Sequence, residues 1–350
     1  MKAFLITILS LCLIMFVGFI GFSFYLPKDI IIEQEVLSSA EKNIKIEDNI
    51  NPRAEENQNN SDEIIIYAVG DIMLDRGVKY VVEKYGDKDY KFPFLNIADY
   101  LSKADITFGN LESQISDKGK KIGTVNSFRA DPKAIDGLKY AGFDVVSVAN
   151  NHFLDYDRDA MEDSFNRLKT AGIMHIGGGS NEDEAFLPKI IEIKGVKIGF
   201  LAYCAVGSTG WRAGKDSPGI AFITNKDIKK IKEDIKKAKE KVDILIVSSH
   251  AGTEYQVKSD SSQQSFYRSF IQAGADLVLG HHPHVAQELE GYPPGWIQYS
   301  LGNFVFDQGF SEATMKGILL EVKIKEKKIQ EVSEKQIEMN KNFQPELVKE

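Results

Sequence analysis

Cysteine is nearly absent from this chain. Its 350 residues include two, Cys12 and Cys204. Cys12 lies inside an apolar N-terminal run, so no disulfide framework holds the fold. Basic character is lacking too. Against 43 Lys and Arg stand 51 Asp and Glu, a net charge of -8, which argues against a general nucleic-acid binder with its basic face. A phosphate substrate stays open if metal ions supply the positive charge. The glycine run Gly177-Gly178-Gly179-Ser180 has no phosphate-loop lysine and reads as a bend. No internal repeat stands out. Histidine is scarce, six in all, yet His281, His282 and His284 stand almost together. The rest, 43% hydrophobic and 27% charged, is an ordinary globular balance, long enough for one large domain or two small ones.

The one long apolar stretch is Phe4 to Leu26, which carries no charge. At ~1.5 Å per residue it spans a ~30 Å hydrocarbon core. A cleaved signal peptide has a shorter apolar region followed by small residues, whereas this one ends in bulky Phe24-Tyr25-Leu26-Pro27. The expectation is a single-pass anchor over residues 1–27, with the cell membrane as first partner. Lys2 before it and acidic residues after it place the remainder outside the cell. Residues 28–62, rich in Glu, Asn, Asp and Lys, read as a flexible extracellular linker.

Beyond the linker, buried-strand patterns recur, and each stops at a polar group. Ile64-Ile-Ile-Tyr-Ala-Val69 ends in Gly70-Asp71. Ala104 to Phe108 ends in Gly109-Asn110-Leu111-Glu112. Phe143 to Val148 ends in Asn150-Asn151-His152. Asp243 to Ser249 ends in His250-Ala-Gly-Thr-Glu254, and Gly274 to Gly280 ends in His281-His282-Pro283-His284. Singly, Asp71 reads equally as a helix cap, Glu112 as a solvated glutamate and Asn150-Asn151 as a turn. His175, inside an apolar strand, reads as a core histidine, and Cys204 as a small buried apolar residue. The long loop Ala205 to Pro218 could cover a site. Lys226 to Lys241 reads as an amphipathic surface helix with a solvated basic face. Helices are expected from Asp131-Pro132, from a capping Asp157, and over Gln263 to Ala273. A hairpin is expected at Lys194-Gly195, and a closing strand pair over Lys316 to Val332.

Jointly the strand ends form a set of oxygen and nitrogen donors on the edge where open α/β sheets bind ligands. Such a set suits one or two divalent ions of the Mn, Zn or Fe type. Two ions ~3.5–4 Å apart act as a clamp on a phosphoryl group, and they need a carboxylate between them.

In their order these motifs resemble those of the CapA family of poly-γ-glutamate capsule biosynthesis proteins. The carrying residues are Gly70-Asp71-Ile-Met73 with Arg76, Gly109-Asn110-Leu-Glu112, Asn150-Asn151-His152, His250-x-Gly252-x-Glu254-Tyr255, Gly280-His281-His282-Pro-His284 and Ser300-Leu-Gly-Asn303-Phe. Such proteins look like calcineurin-type metallophosphoesterases with an altered metal set. The resemblance implies an α/β fold, a four-layer α/β/β/α sandwich over residues 63–337, with a tail at 338–350. It implies Asp71, Glu112, Asn151, His250, His282 and His284 as metal ligands, Glu112 bridging. His152 matches the histidine that assists the leaving group, and Arg76, Arg129 and Glu254 would contact substrate. His282 is preferred to His281 for its His-x-His spacing with His284. Met73 stands where the phosphoesterase pattern Asp-x-His has histidine, which removes one ligand. The implied function is poly-γ-glutamate capsule synthesis or export, with hydrolysis of a phosphoester or related bond in a phosphoester or anionic polymer. The alternative is a non-catalytic subunit among the other subunits of a membrane polymer-synthesis complex.

Overall fold

The computed structural model describes residues 62–123 and 125–348. The expected anchor and nearly all of the linker lie outside the described residues. Among the described residues, no helix is long and apolar enough to cross a membrane.

Two sheets, one of eight strands and one of six, organise the chain. In chain order their strands are β1 (Ile64–Ile72), β2 (Ile106–Leu111), β3 (Val145–Ser147), β4 (Met174–Ile176), β5 (Lys189–Ile193), β6 (Val196–Cys204), β7 (Ile244–His250), β8 (Leu277–His281), β9 (Leu289–Tyr292), β10 (Gly295–Gln298), β11 (Asn303–Val305), β12 (Lys316–Lys325), β13 (Lys328–Met339) and β14 (Pro345–Leu347). The first sheet runs β14-β13-β12-β1-β2-β3-β4, with β11 added beside the end of β1, and the second runs β9-β10-β8-β7-β6-β5. From β1 to β4 the pairing is parallel, as it is from β6 through β7 and β8 to β10. Parallel strands need crossovers. These are α1 (Arg76–Tyr85), α2 (Ala134–Ala141) and α3 (Asp157–Thr170) for the first sheet, and α4 (Ile228–Lys239) and α5 (Ser261–Ala273) for the second.

Strand alternation decides what each face meets. In β7, Ile244 and Ile246 join the core shared with the first sheet. Leu245 and Val247 turn to Ile231, Ile235 and Ala238 of α4 and to Tyr267, Phe270 and Ile271 of α5. The two sheets meet directly where Phe108 of β2 stacks on Phe200 of β6, 6.3 Å between ring centres. Burying each such side chain is worth roughly 1.5–3 kcal/mol. The α/β core therefore clamps two parallel edges side by side.

Most local expectations hold. The hairpin β5–β6 turns at Lys194 and Gly195, both with positive φ, 48° and 74°, as a two-residue hairpin turn requires. His175 is half-buried and stacks on Phe165 at 4.4 Å, and desolvation pushes its pKa down to about 4. Helix starts differ. α2 begins at Ala134, not at Asp131-Pro132, because Asp131 spends its carboxylate on the Lys133 amide at 2.9 Å in a preceding turn. Asp157 has a left-handed backbone, φ 66°, and accepts from the amides of Lys120 and Asp159, so Tyr156 is the residue at the cap position. The closing strand pair is longer than expected. β13 crosses residue 337, and β14 pairs with it through Ile337 and Leu347, so much of the expected tail belongs to the first sheet.

Candidate metal centre

Two glycines make the site possible. A Cβ at Gly70 would stand 1.9 Å from the Gly302 carbonyl oxygen, and one at Gly280 would stand 1.9 Å from that of Tyr299. The segment Tyr299–Gly302 therefore crosses both strand ends at backbone distance. It bonds to each: Asp71 N donates to Gly302 O at 2.9 Å, and Leu301 N to Gly280 O at 3.0 Å. This stitch joins the end of β1 in one sheet to the end of β8 in the other. It sets Asp71 beside His281, 210 residues away in sequence.

Asp71 is fully buried. It accepts from Asn110 Nδ2 at 2.8 Å, from His281 Nδ1 at 3.1 Å and from the His282 amide at 3.3 Å, and His284 Nδ1 lies 3.3 Å away. Burial pushes its pKa up, but hydrogen bonds from His281 and His284 outweigh this and hold it well below the carboxylate range. Glu112, one residue past β2, is equally buried. Desolvation raises its pKa well above the ordinary value, only partly offset by His284. Its Oε1 has no hydrogen-bond partner, though His284 Nε2 lies at 3.7 Å and His152 Nε2 at 3.8 Å. His250 ends β7, with Nε2 2.7 Å from Asn151 Oδ1 and Nδ1 3.3 Å from Asn110 Nδ2. His282 and His284 follow β8 with positive φ, 95° and 58°. Such a backbone costs a non-glycine residue ~1–3 kcal/mol and persists only where its surroundings hold it.

Two donor groups result. Ligand atoms of Asp71, Glu112 and His250 lie within 4.8 Å of one another, as do those of Glu254, His282 and His284. Glu112 reaches towards both through His284. Besides Glu112 Oε1, the buried His282 Nδ1 also lacks a hydrogen-bond partner. Unpartnered buried donors and acceptors are costly, and a divalent ion would satisfy them. The donor set fits such an ion.

A pocket of about 450 Å³ opens beside these groups, lined among others by Arg76, Asn151, His152, Glu254, Tyr255 and His284. His152 Nδ1 lies 2.7 Å from Asp155 Oδ2, which also accepts from Phe128 N at 2.8 Å. The Phe128 ring stacks on His152 at 4.0 Å. The Arg76 guanidinium sits 4.5 Å from the centre of that same Phe128 ring and pairs with Asp307. Arg129 is not brought to this pocket. Its guanidinium donates to the carbonyls of Lys118 and Gly119, at 2.6 and 3.3 Å, and lies 4.2 Å over Tyr156, so it fastens a loop. The loop Ala205 to Pro218 does not line the pocket either. Arg212 ties it to Glu182 and Asp227.

Sequence reasoning missed Asp155 and Phe128, and it quoted Asn303 in the motif Ser300-Leu-Gly-Asn303-Phe without giving it a role. Asn303 Oδ1 stands 3.0 Å from His284 Nδ1. The one available signal was a carboxylate three positions beyond His152.

These imidazoles make a pH prediction for protein stripped of metal. Desolvation, reinforced by neighbouring histidines, lowers His250 and takes His282 down to about 3. Both stay neutral in the fold, so stability present above the ordinary 6.5 is lost as pH falls below it. Burial would lower His284 as well, but Glu112 and the Asp71 bond push it up to about 9. Its contribution is complete below 6.5 and is lost as pH rises through 9. Glu112, raised, adds a loss in the same alkaline direction. Thermal denaturation with chelator present is expected to show maximal stability near pH 6.5, falling on both sides. A midpoint that climbs steadily through pH 8 would refute this. Added metal, competing for the His284 nitrogen, should flatten the alkaline side.

An α/β protein with a cluster of buried carboxylates and imidazoles that fits a divalent metal, set where two parallel sheet edges meet, is the class that this fold and site define. Within that class, the chain belongs to the family of bacterial capsule synthesis proteins, PGA_cap, whose model matches residues 65–308. It is 34% identical over 263 residues to the capsule biosynthesis protein CapA of Bacillus anthracis, covering 72% of this chain and 62% of that protein. To the PGA biosynthesis protein CapA of Bacillus subtilis (strain 168) it is 33% identical over 250 residues, covering 69% and 63%. A probable polyglutamine synthesis accessory protein of Mycobacterium tuberculosis is 25% identical over 287 residues, covering 71% and 76%. The match spans less than two thirds of the length of both CapA proteins.

Proposed function

We propose that this protein serves poly-γ-glutamate capsule synthesis or export, anchored in the cell membrane with its domain outside, and that its strand-edge cluster is a metallophosphoesterase-type site on a calcineurin-like α/β/β/α fold. The observation that carries the site is Glu112 Oε1, buried, without a hydrogen-bond partner and standing between two donor groups and His152. Asp71, Glu112 and His250, with Asn151 beside them, would hold one ion. His282, His284 and Glu254 would hold a second. When bound, such ions polarise a phosphoryl oxygen and make water a better nucleophile.

The chain's own residues do the rest. Asp155 occupies His152 Nδ1, which leaves Nε2 on the side of Glu112 and the pocket. A proton held at Nε2 can pass to a leaving oxygen, a step worth typically 10²–10⁴ in rate. Phe128 covers one face of the ring, fixing its plane and excluding water. Arg76, kept over Phe128 by Asp307, gives the pocket a positive wall for an anionic substrate.

The second reading is an accessory subunit of a polymer-synthesis complex with a weak or silent site. Met73 favours it. It is fully buried, and its Sδ accepts from the Asp75 amide at 3.1 Å, so it supplies no imidazole where the phosphoesterase pattern has one. The word "accessory" in the name of the Mycobacterium relative points the same way. Metal analysis of the full-length protein and hydrolysis of a chromogenic phosphodiester under each divalent ion separate the two. Retained metal with turnover supports the enzyme. Absence of turnover under every ion, with polymer export still dependent on the protein, supports the subunit.

A further inference from the structure

A group of unneutralised positive charges away from the metal centre lies between α4 and α5. A groove of about 1010 Å³ runs there, and Lys226, Lys229, Lys232 and Lys236 line it, with Glu233 the one acid among its lining residues. Ile228, Ile271 and Pro294 add apolar surface to the lining, against which lysine stems can lie. Two other lysines of the same helix are neutralised, Lys230 by Asp234 at 2.8 Å and Lys239 by Asp276 at 2.7 Å. The four groove lysines make no ion pair among the described residues. So on a chain of net charge -8 this concavity carries four ammonium groups to one carboxylate.

The groove has a direction. A second cavity, about 540 Å³, shares Asn225 and Ile228 with it and is lined by Ala251, Gly252 and Thr253. These three residues join His250 to Glu254, members of the two metal-type groups. The lysines are spaced three and four residues apart, so they step along one helix face by roughly 4.5–6 Å. A poly-γ-glutamate chain has five backbone atoms per residue where an α-linked chain has three, so its extended advance is roughly 5.5–6 Å, five-thirds of the ~3.3–3.6 Å of an α-linked residue, and a chain laid along α4 meets about one ammonium per carboxylate.

We propose that the α4–α5 groove binds a linear polycarboxylate chain and leads it towards the metal centre. The choice of carboxylate as the anion rests on the capsule reading above; the groove and its charge do not.

The test is fluorescence anisotropy of labelled polyglutamate on the full-length protein, with uncharged polyglutamine of equal length as control. Replacing the groove lysines together, Lys229→Gln, Lys232→Gln and Lys236→Gln, is expected to weaken binding roughly tenfold, three exposed charge contacts acting together. Replacing three lysines outside the groove, Lys230→Gln, Lys237→Gln and Lys241→Gln, makes the same change in net charge and should cost less than about twofold, since screening shortens the reach of a diffuse field. Arginine at the three groove positions should keep binding. Equal weakening by both triple variants overturns the proposal. So does a wild-type protein that ignores polyglutamate but binds phosphatidylglycerol vesicles through the same lysines. The groove variant should retain metal at the wild-type level, so failure of the groove and failure of the metal centre register separately.

Discussion

Replacing Glu112 by glutamine is expected to make metal-stripped protein more stable and, in the same molecule, to abolish metal retention and any hydrolysis. The two effects have opposite sign because Glu112 sits where no metal-free fold would place it. It is fully buried, its pKa is driven up by desolvation, and one oxygen has no hydrogen-bond partner. Glutamine keeps the shape and removes the ionisable oxygen. Neutralising a poorly solvated buried carboxylate stabilises a fold by on the order of 1–3 kcal/mol, at about 2–4 °C in melting midpoint per kcal/mol for a domain of this size. His284 loses its attraction to Glu112 but keeps its Asp71 neighbour at 3.3 Å, so this loss offsets only part of the gain. Metal content should fall to background, since the carboxylate between the two donor groups is gone. Calorimetry on chelated protein and elemental analysis on protein purified without chelator give the two readings. A destabilised metal-stripped variant, or one that still holds metal at full occupancy, would sink the assignment of Glu112 as the shared ligand.

His152→Ala should behave differently. Metal retention stays at the wild-type level, because His152 belongs to neither donor group, while phosphodiester turnover drops by roughly 10²–10⁴. Asp155→Asn tests the positioning argument. The amide of that variant can still meet the imidazole but no longer offers a carboxylate to Nδ1 and to the Phe128 amide together. A smaller loss is expected, with an altered pH profile for kcat that a merely loosened loop would not produce. If His152→Ala lost metal and activity together, His152 would be a ligand rather than a proton donor. If it lost neither, the accessory reading would gain.

Much of this architecture was readable along the chain. Apolar runs that stop at Gly70-Asp71, Gly109 to Glu112, Ser249-His250 and Gly280-His281 are buried parallel strands, because a strand covered on both faces is apolar throughout. The turn at Lys194-Gly195 and the stripe Ile228, Ile231, Ile235 follow from local geometry alone. Arg129 was not so readable. A cation one residue past Phe128 looks available to substrate until the carbonyls of Lys118 and Gly119 are seen to hold it. Asp155 was hidden for the opposite reason: nothing local distinguishes a carboxylate that orients an imidazole from one that caps a turn.

By itself, the sequence determined which donors this protein owns and that each sits at a strand end, since periodicity and glycine placement are properties of neighbours in the chain. Only the tertiary structure decided that they meet. Asp71 and His281 become partners because Tyr299–Gly302 crosses both strand ends at a distance that only Gly70 and Gly280 allow. Choosing between neighbours as alike as His281 and His282 was likewise a tertiary matter. Alternation along the end of β8 sends the first to Asp71 and Phe108 within the core, and the turn beyond it brings the second into the group with His284 and Glu254.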